Sequence, residues 1–177
     1  MPRTMSDSSE LEQRVITLFH ESIEAKMHAG ESLAPLIGEA SQMIVHALLN
    51  GNKILCVGNG FAAAHAQFFA ASLVNRFEHE RPSLPAIALG TDPTLHTAIA
   101  SASSFNQVYA KPIRALGQAG DLLLLINDGG SQSSMVQTVQ AAHDREMGVI
   151  ALSGQDENDA SALLDDVNDI ELSINIE

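Results

Sequence analysis

Two stretches of this chain, Leu122-Leu123-Leu124-Leu125-Ile126 and Val149-Ile150-Ala151-Leu152, are apolar without interruption. A strand that reads this way is buried on both faces, which happens almost only in a parallel sheet with helices over both sides. The rest of the chain alternates as such a sheet requires. Residues 53–57, 84–89, 121–126, 148–152 and 169–174 read as strands. Leu11, Val15, Leu18, Phe19 and Ile23 recur at helical spacing and predict a helix over 10–29. A second helix is expected over 35–50, with Pro35 in its first turn and Asn50-Gly51 as its stop. An alanine-rich helix follows over 61–77, a short one after Asp92, and others over 105–116 and 133–146. The expected fold is α/β: a three-layer αβα sandwich with a five-stranded parallel sheet flanked by helices. The whole of 1–177 is expected to be one domain, with N-terminal helices at 10–50 and a sheet core at 52–175.

Charge narrows the function. Nine Lys and Arg face 22 Asp and Glu, for a net charge of -13. Direct nucleic-acid binding needs clustered cations to neutralise phosphates, and none are clustered here. The first ten residues are polar and contain no apolar signal region. No apolar stretch is read as long enough to span a bilayer. The single cysteine, Cys56, lies within a strand and is expected to be a small core residue. These features point to a cytoplasmic protein that binds neither membrane nor nucleic acid directly.

Two glycine-bearing loops stand where strands give way to helices. The first contains Gly58-Asn59-Gly60; the second contains Asn127-Asp128-Gly129-Gly130-Ser131-Gln132. In a parallel sheet, ligands bind beyond the strand C-termini at such loops, and the N–H groups of a helix start favour anions. Gly58, Asn59, Gly60, Asn127, Asp128, Ser131 and Gln132 are therefore the candidate ligand-binding residues. Ser133 and Ser134 offer further hydroxyls. Asp128 works against a phosphate dianion, unless it turns outward or caps the following helix. His65 and His96 are the histidines near these loops, and each reads more readily as an ordinary helix residue than as a replacement base. His20, His28, His46, His79 and His143 are scattered at no ligand spacing.

Several further segments complete a pattern: Asn75-Arg76-Phe77-Glu78, the stretch from Arg81-Pro82-Ser83 through Ala88-Leu89, Thr97-Ala98-Ile99-Ala100, and Val108-Tyr109-Ala110-Lys111. With the first loop, they make the chain resemble the sugar isomerase (SIS) domain family, and within it the phosphoheptose isomerase branch. That branch includes sedoheptulose-7-phosphate isomerase and the DnaA initiator-associating protein of bacterial replication. The resemblance implies a homotetramer and a carbohydrate-derivative-binding fold. It also implies where the enzymes keep their chemistry. They place a substrate-binding serine where this chain has Ala62, a metal-binding or acid/base histidine where it has Phe68, and a glutamate where it has Ser72. Their second loop reads Ser-Thr-Ser-Gly-Asn-Ser, and an Asn-Asp pair stands where this chain has Ser101-Ala102. They supply a glutamine and a second histidine from a C-terminal helix, which is expected to be lacking here because the sequence stops at Glu177.

Isomerisation needs a base near the sugar and an electrophile or metal to stabilise the enediolate. Phe68 and Ser72 supply neither. No catalytic residue, cofactor or metal is expected. The expected role is an oligomeric protein-binding scaffold, with the replication initiator DnaA as the candidate partner. The alternatives are a divergent isomerase using His65 or His96, or a sugar-phosphate sensor.

Overall fold

A computed structural model describes residues 5–128, 132–154 and 159–173. The chain divides into two compact units, Met1–Pro35 and Leu36–Asn175. Helix α1 runs Met5–Leu49 with Pro35 inside it. The two helices expected over 10–29 and 35–50 are thus one element. Proline removes one backbone donor and fixes a helical φ, so a long helix can absorb it at the loss of one hydrogen bond. The boundary between the two units falls at that residue.

The first unit is α-helical, and apart from buried Leu33 its apolar stripe is largely open: Leu11, Val15, Leu18, Phe19, Ile23 and Met27 are all more than half exposed. The second unit holds the sheet. Its strands are β1 Ile54–Gly58, β2 Ala86–Ala88, β3 Leu122–Asn127, β4 Gly148–Ser153 and β5 Ile170–Ser173, all parallel, in the spatial order β2-β1-β3-β4-β5. Between them lie α2 Ala62–Val74, α3 Pro93–Ala102, α4 Ala110–Leu116 and α5 Gln132–His143, with 3-10 turns at Phe105–Gln107 and Ser161–Leu163. The helix expected over 105–116 is therefore a 3-10 turn followed by α4.

Alternation along the strands sorts the core into two layers. Leu55, Val57, Leu123, Leu125, Val149 and Ala151 point to one face, against Ile113 of α4 and Met135 and Val139 of α5. Ile54, Cys56, Leu122, Leu124 and Ile150 point to the other, against Ala40 and Ala47 of α1 and Ala66 and Ala70 of α2. This is the three-layer sandwich that the uninterrupted apolar runs demand. Burial pushes the Cys56 thiol up to about 12, so it stays a neutral core residue. Within α1 one window reaches a mean hydropathy of 1.2, enough by length and composition alone for a membrane span, which the sequence reading did not foresee. Ala40 and Ala47 of that helix are buried against the sheet.

Arg81 closes the C-terminal end of α2. Its guanidinium donates to the carbonyls of Ser72 (2.6 Å), Leu73 (2.7 Å) and Pro82 (3.1 Å). The last carbonyls of a helix lack intrahelical partners, and a cation there also complements the helix dipole. Arg81→Ala is expected to cost about 2–3 kcal/mol, since hydrogen bonds to a charged donor contribute most when part-buried. A urea unfolding midpoint unchanged in that variant would contradict this role.

Candidate functional site

The strand order places the site. The chain leaves β1 toward β2 on one side and reaches β3 on the other, so the crevice between the C-terminal ends of β1 and β3 is the topological switch point. Gly58 at the end of β1 is in register with Ile126 near the end of β3. The chain segments that lead into the two glycine loops therefore leave the sheet side by side. They are tied directly: Asn59 Nδ2 donates to Ser134 Oγ in the first turn of α5, at 2.9 Å.

Each glycine of the first loop has its own reason. A Cβ on Gly58 would lie 2.5 Å from the backbone carbonyl of Ala62, so the start of α2 folds down onto the strand end only because no side chain intervenes. Gly60 sits at φ +52, in the left-handed region that glycine adopts without penalty. The amides of Ala62, Ala63 and Ala64 donate back to Asn59, Gly60 and Phe61. Those three donors serve the turn rather than an incoming anion. Tyr109, the single tyrosine of the chain, is buried and donates its hydroxyl to the carbonyl of Gly58 at 2.8 Å. Burial raises its pKa, which keeps that donor protonated.

Asn127 is buried at the end of β3, and Asp128 after it is exposed. Gly129, Gly130 and Ser131 lie outside the described residues; Gln132 begins α5, and its side chain is likewise outside the description. Ser133 is exposed and Ser134 buried. Asp92 caps α3 as its sequence context predicts, accepting from Thr94 N and Leu95 N ahead of Pro93 at the first helical position.

The exposed face of α2 carries the positions of greatest interest. Phe61 is 90% exposed and Phe68 67%, with His65 exposed between them. Phe68 therefore fills no cavity within this chain. Ser72 lies one helical turn beyond and bonds back to the Phe68 carbonyl at 2.9 Å. A benzyl group offers no ligand atom or proton, so Phe68 itself supplies neither a metal ligand nor an acid/base group. His96 is drawn inward rather than lying on the helix surface. Its ring meets Tyr109 edge-on at 5.2 Å, and a Cβ on Gly90 would touch it. Among the described residues, buried His96 Nε2 and buried Asn59 Oδ1 have no hydrogen-bond partner. Buried polar atoms are normally satisfied, so these two atoms are the polar groups at the β1 exit with bonding capacity left over among the described residues.

Residues 18–154 match the family model described as the SIS domain. The chain belongs to the SIS-domain family. SIS relatives carry two different names at similar distance. A phosphoheptose isomerase of Chromohalobacter salexigens is 49% identical over 155 residues, covering 88% of this chain and 79% of that protein. The DnaA initiator-associating protein DiaA of Salmonella paratyphi B is 51% identical over 162 residues, covering 92% and 82%. Among solved SIS structures, the phosphoheptose isomerase GmhA of Neisseria gonorrhoeae superimposes with a TM-score of 0.87 at 40% identity, covering 94% of this chain and 87% of that one. The isomerase of Francisella tularensis gives 0.88 at 39% identity, covering 93% and 86%.

A cavity of about 850 Å³ lies elsewhere, near the N-terminal ends of β3, β4 and β5. It brings together residues whose spacing in the chain suggested nothing: His143 Nε2 stands 2.8 Å from Asp169 Oδ2, with Asp165 beside them.

Proposed function

We propose that this chain is a non-catalytic SIS-domain protein that acts as a homo-oligomeric scaffold for a protein partner, the replication initiator DnaA being the candidate. The carrying observation is the α2 face. Where the resemblance puts a histidine and a glutamate, this chain presents an exposed phenyl ring and a serine tied to its own helix. Aromatic side chains that face solvent on a rigid helix suit protein contacts better than proton transfer. The apolar positions of residues 11–27, more than half exposed, need a second surface to cover them, which supports an oligomer such as a dimer or homotetramer. Several copies of one weak site then bind with an avidity that one copy lacks. Such an assembly would work in the cytoplasm and touch DNA only through its partner.

Two measurements test this reading. Light scattering on the full chain is expected to show a stable oligomer, and Phe19→Glu with Ile23→Glu is expected to dissociate it. Immobilised initiator is expected to retain the wild-type oligomer and to lose the Phe68→Asp variant. Failure of the initiator to retain the assembled oligomer would remove that partner.

One observation favours a second reading, a sugar-phosphate sensor: Asn59 Oδ1 and His96 Nε2 lack partners, and Asp128 is exposed. A ligand that binds only the folded state raises the melting temperature by mass action. A saturable rise with sedoheptulose 7-phosphate, reduced in Asn59→Ala, would support the sensor. No rise at millimolar ligand leaves the scaffold.

A further inference from the structure

At the opposite end of the sheet from the glycine loops, α5 ends at His143. The segment entering β5 there makes one helical turn, with the Asp169 N–H donating to the Asp165 carbonyl at 3.2 Å. That turn puts both carboxylates on the side facing His143, and one ligand atom from each of the three residues lies within 4.8 Å of the others. Asp169 is fully buried and held rigidly: its Oδ1 accepts from Val149 N at 2.8 Å and its Oδ2 from Asp165 N at 2.9 Å. Asp165 differs. Its Oδ1 takes the amides of Val167 and Asn168, while its Oδ2 has only the Asn168 side chain at 3.3 Å.

The surroundings strengthen the case. The three residues line the 850 Å³ cavity together with Glu39, His46, Glu146 and Asp166, and none of the described residues lining it is Lys or Arg. Carboxylates gathered in one concavity without a cation focus a negative potential on its interior. Asp169 Oδ1 keeps a lone pair, whereas Oδ2 also pairs with His143 Nε2 at 2.8 Å; an ion taking both atoms would displace the proton they share. An imidazole nitrogen, a preorganised buried carboxylate and a second, adjustable carboxylate form a three-ligand set with one position left for water. That set suits zinc-class ions, and the imidazole favours them over magnesium or calcium.

We propose that His143, Asp165 and Asp169 form a divalent transition-metal site, of the zinc class, at the N-terminal end of the sheet. The ion would clip the end of α5 to the turn before β5. This site shares no residue with the crevice at the glycine loops, so it stands or falls independently of the scaffold reading.

The test uses the full chain, stripped with a chelator and titrated calorimetrically with zinc and, separately, magnesium. One equivalent of zinc is expected to bind saturably, at least about 10-fold more tightly than magnesium. His143→Gln keeps an N–H donor for Asp169 but supplies a poor ligand; Asp165→Asn alters the exposed carboxylate. Each is expected to weaken zinc at least about 10-fold. Zinc binding that both variants leave intact would assign the ion to other histidines and overturn the proposal, as would no zinc heat at millimolar ion. Should His143→Gln fail to fold, as judged by circular dichroism, Asp165→Asn alone decides.

Discussion

Asp121→Ala is expected to destabilise the fold by about 3–5 kcal/mol, the range for removing one partner of a buried ion pair. For a domain of this size that corresponds to a fall in melting temperature of roughly 6–20 °C. Asp121 is 1% exposed, just before β3. Its carboxylate accepts from Lys53 Nζ at 2.5 Å, Lys53 N at 3.0 Å and Gln118 N at 2.8 Å. It thereby pins the start of β1 to the start of β3, the two strands that flank the switch-point crevice. Burial opposes the charged form, but the Lys53 side-chain and backbone hydrogen bonds, with that from Gln118, outweigh it and hold the carboxyl below its ordinary value. A group whose folded pKa is depressed contributes stability above its unfolded pKa and loses it as pH falls through the folded one. Wild-type stability should therefore drop on the acid side of the ordinary carboxylate range, and Asp121→Ala should lose part of that acid dependence. Equal melting temperatures for wild type and variant at neutral pH would overturn this account.

What could be read from the sequence follows the range of the interactions involved. The strands were visible because β1, β3 and β4 are buried on both faces and so run apolar without alternation. The Asp92-Pro93 helix start was visible because a cap and its helix are neighbours in sequence. The continuity of α1 was not: Pro35 reads as a helix start, and only the structure shows the preceding turns continuing into it. The candidate crevice was half legible. Both glycine loops were recognisable from their contexts, but the bond from Asn59 to Ser134 spans 75 residues and the one from Tyr109 to Gly58 spans 51. Neither leaves a local signature. The same holds for Lys53 with Asp121 and for His143 with Asp169. His96 illustrates the limit from the other side. Its neighbours in sequence suggest a surface helix residue, and only the placement of Tyr109 and Gly90 draws it inward.

Turnover of sedoheptulose 7-phosphate by this chain is expected to lie at least about 10⁴-fold below that of a phosphoheptose isomerase relative assayed beside it. A positioned general acid or base contributes roughly 10²–10⁴-fold, and this chain departs from the enzyme pattern at more than one such position. Phe68 has no proton to give or take, and the Ser72 hydroxyl is occupied by the Phe68 carbonyl. Asp128 adds a negative charge to the loop where a phosphate would sit, although its exposure leaves it free to point to solvent. The groups that could still rescue catalysis are His65, exposed on the α2 face, and His96, whose Nε2 is buried without a partner. Both can be interrogated singly. Turnover within about 100-fold of the relative would reject the scaffold reading, because a surface that only binds protein has no means to shuttle a proton between adjacent carbons. Its disappearance in His96→Ala but not in His65→Ala would identify the buried imidazole as the base. The reverse would place the chemistry on the face that Phe68 occupies. Activity surviving both substitutions would place the base at neither histidine.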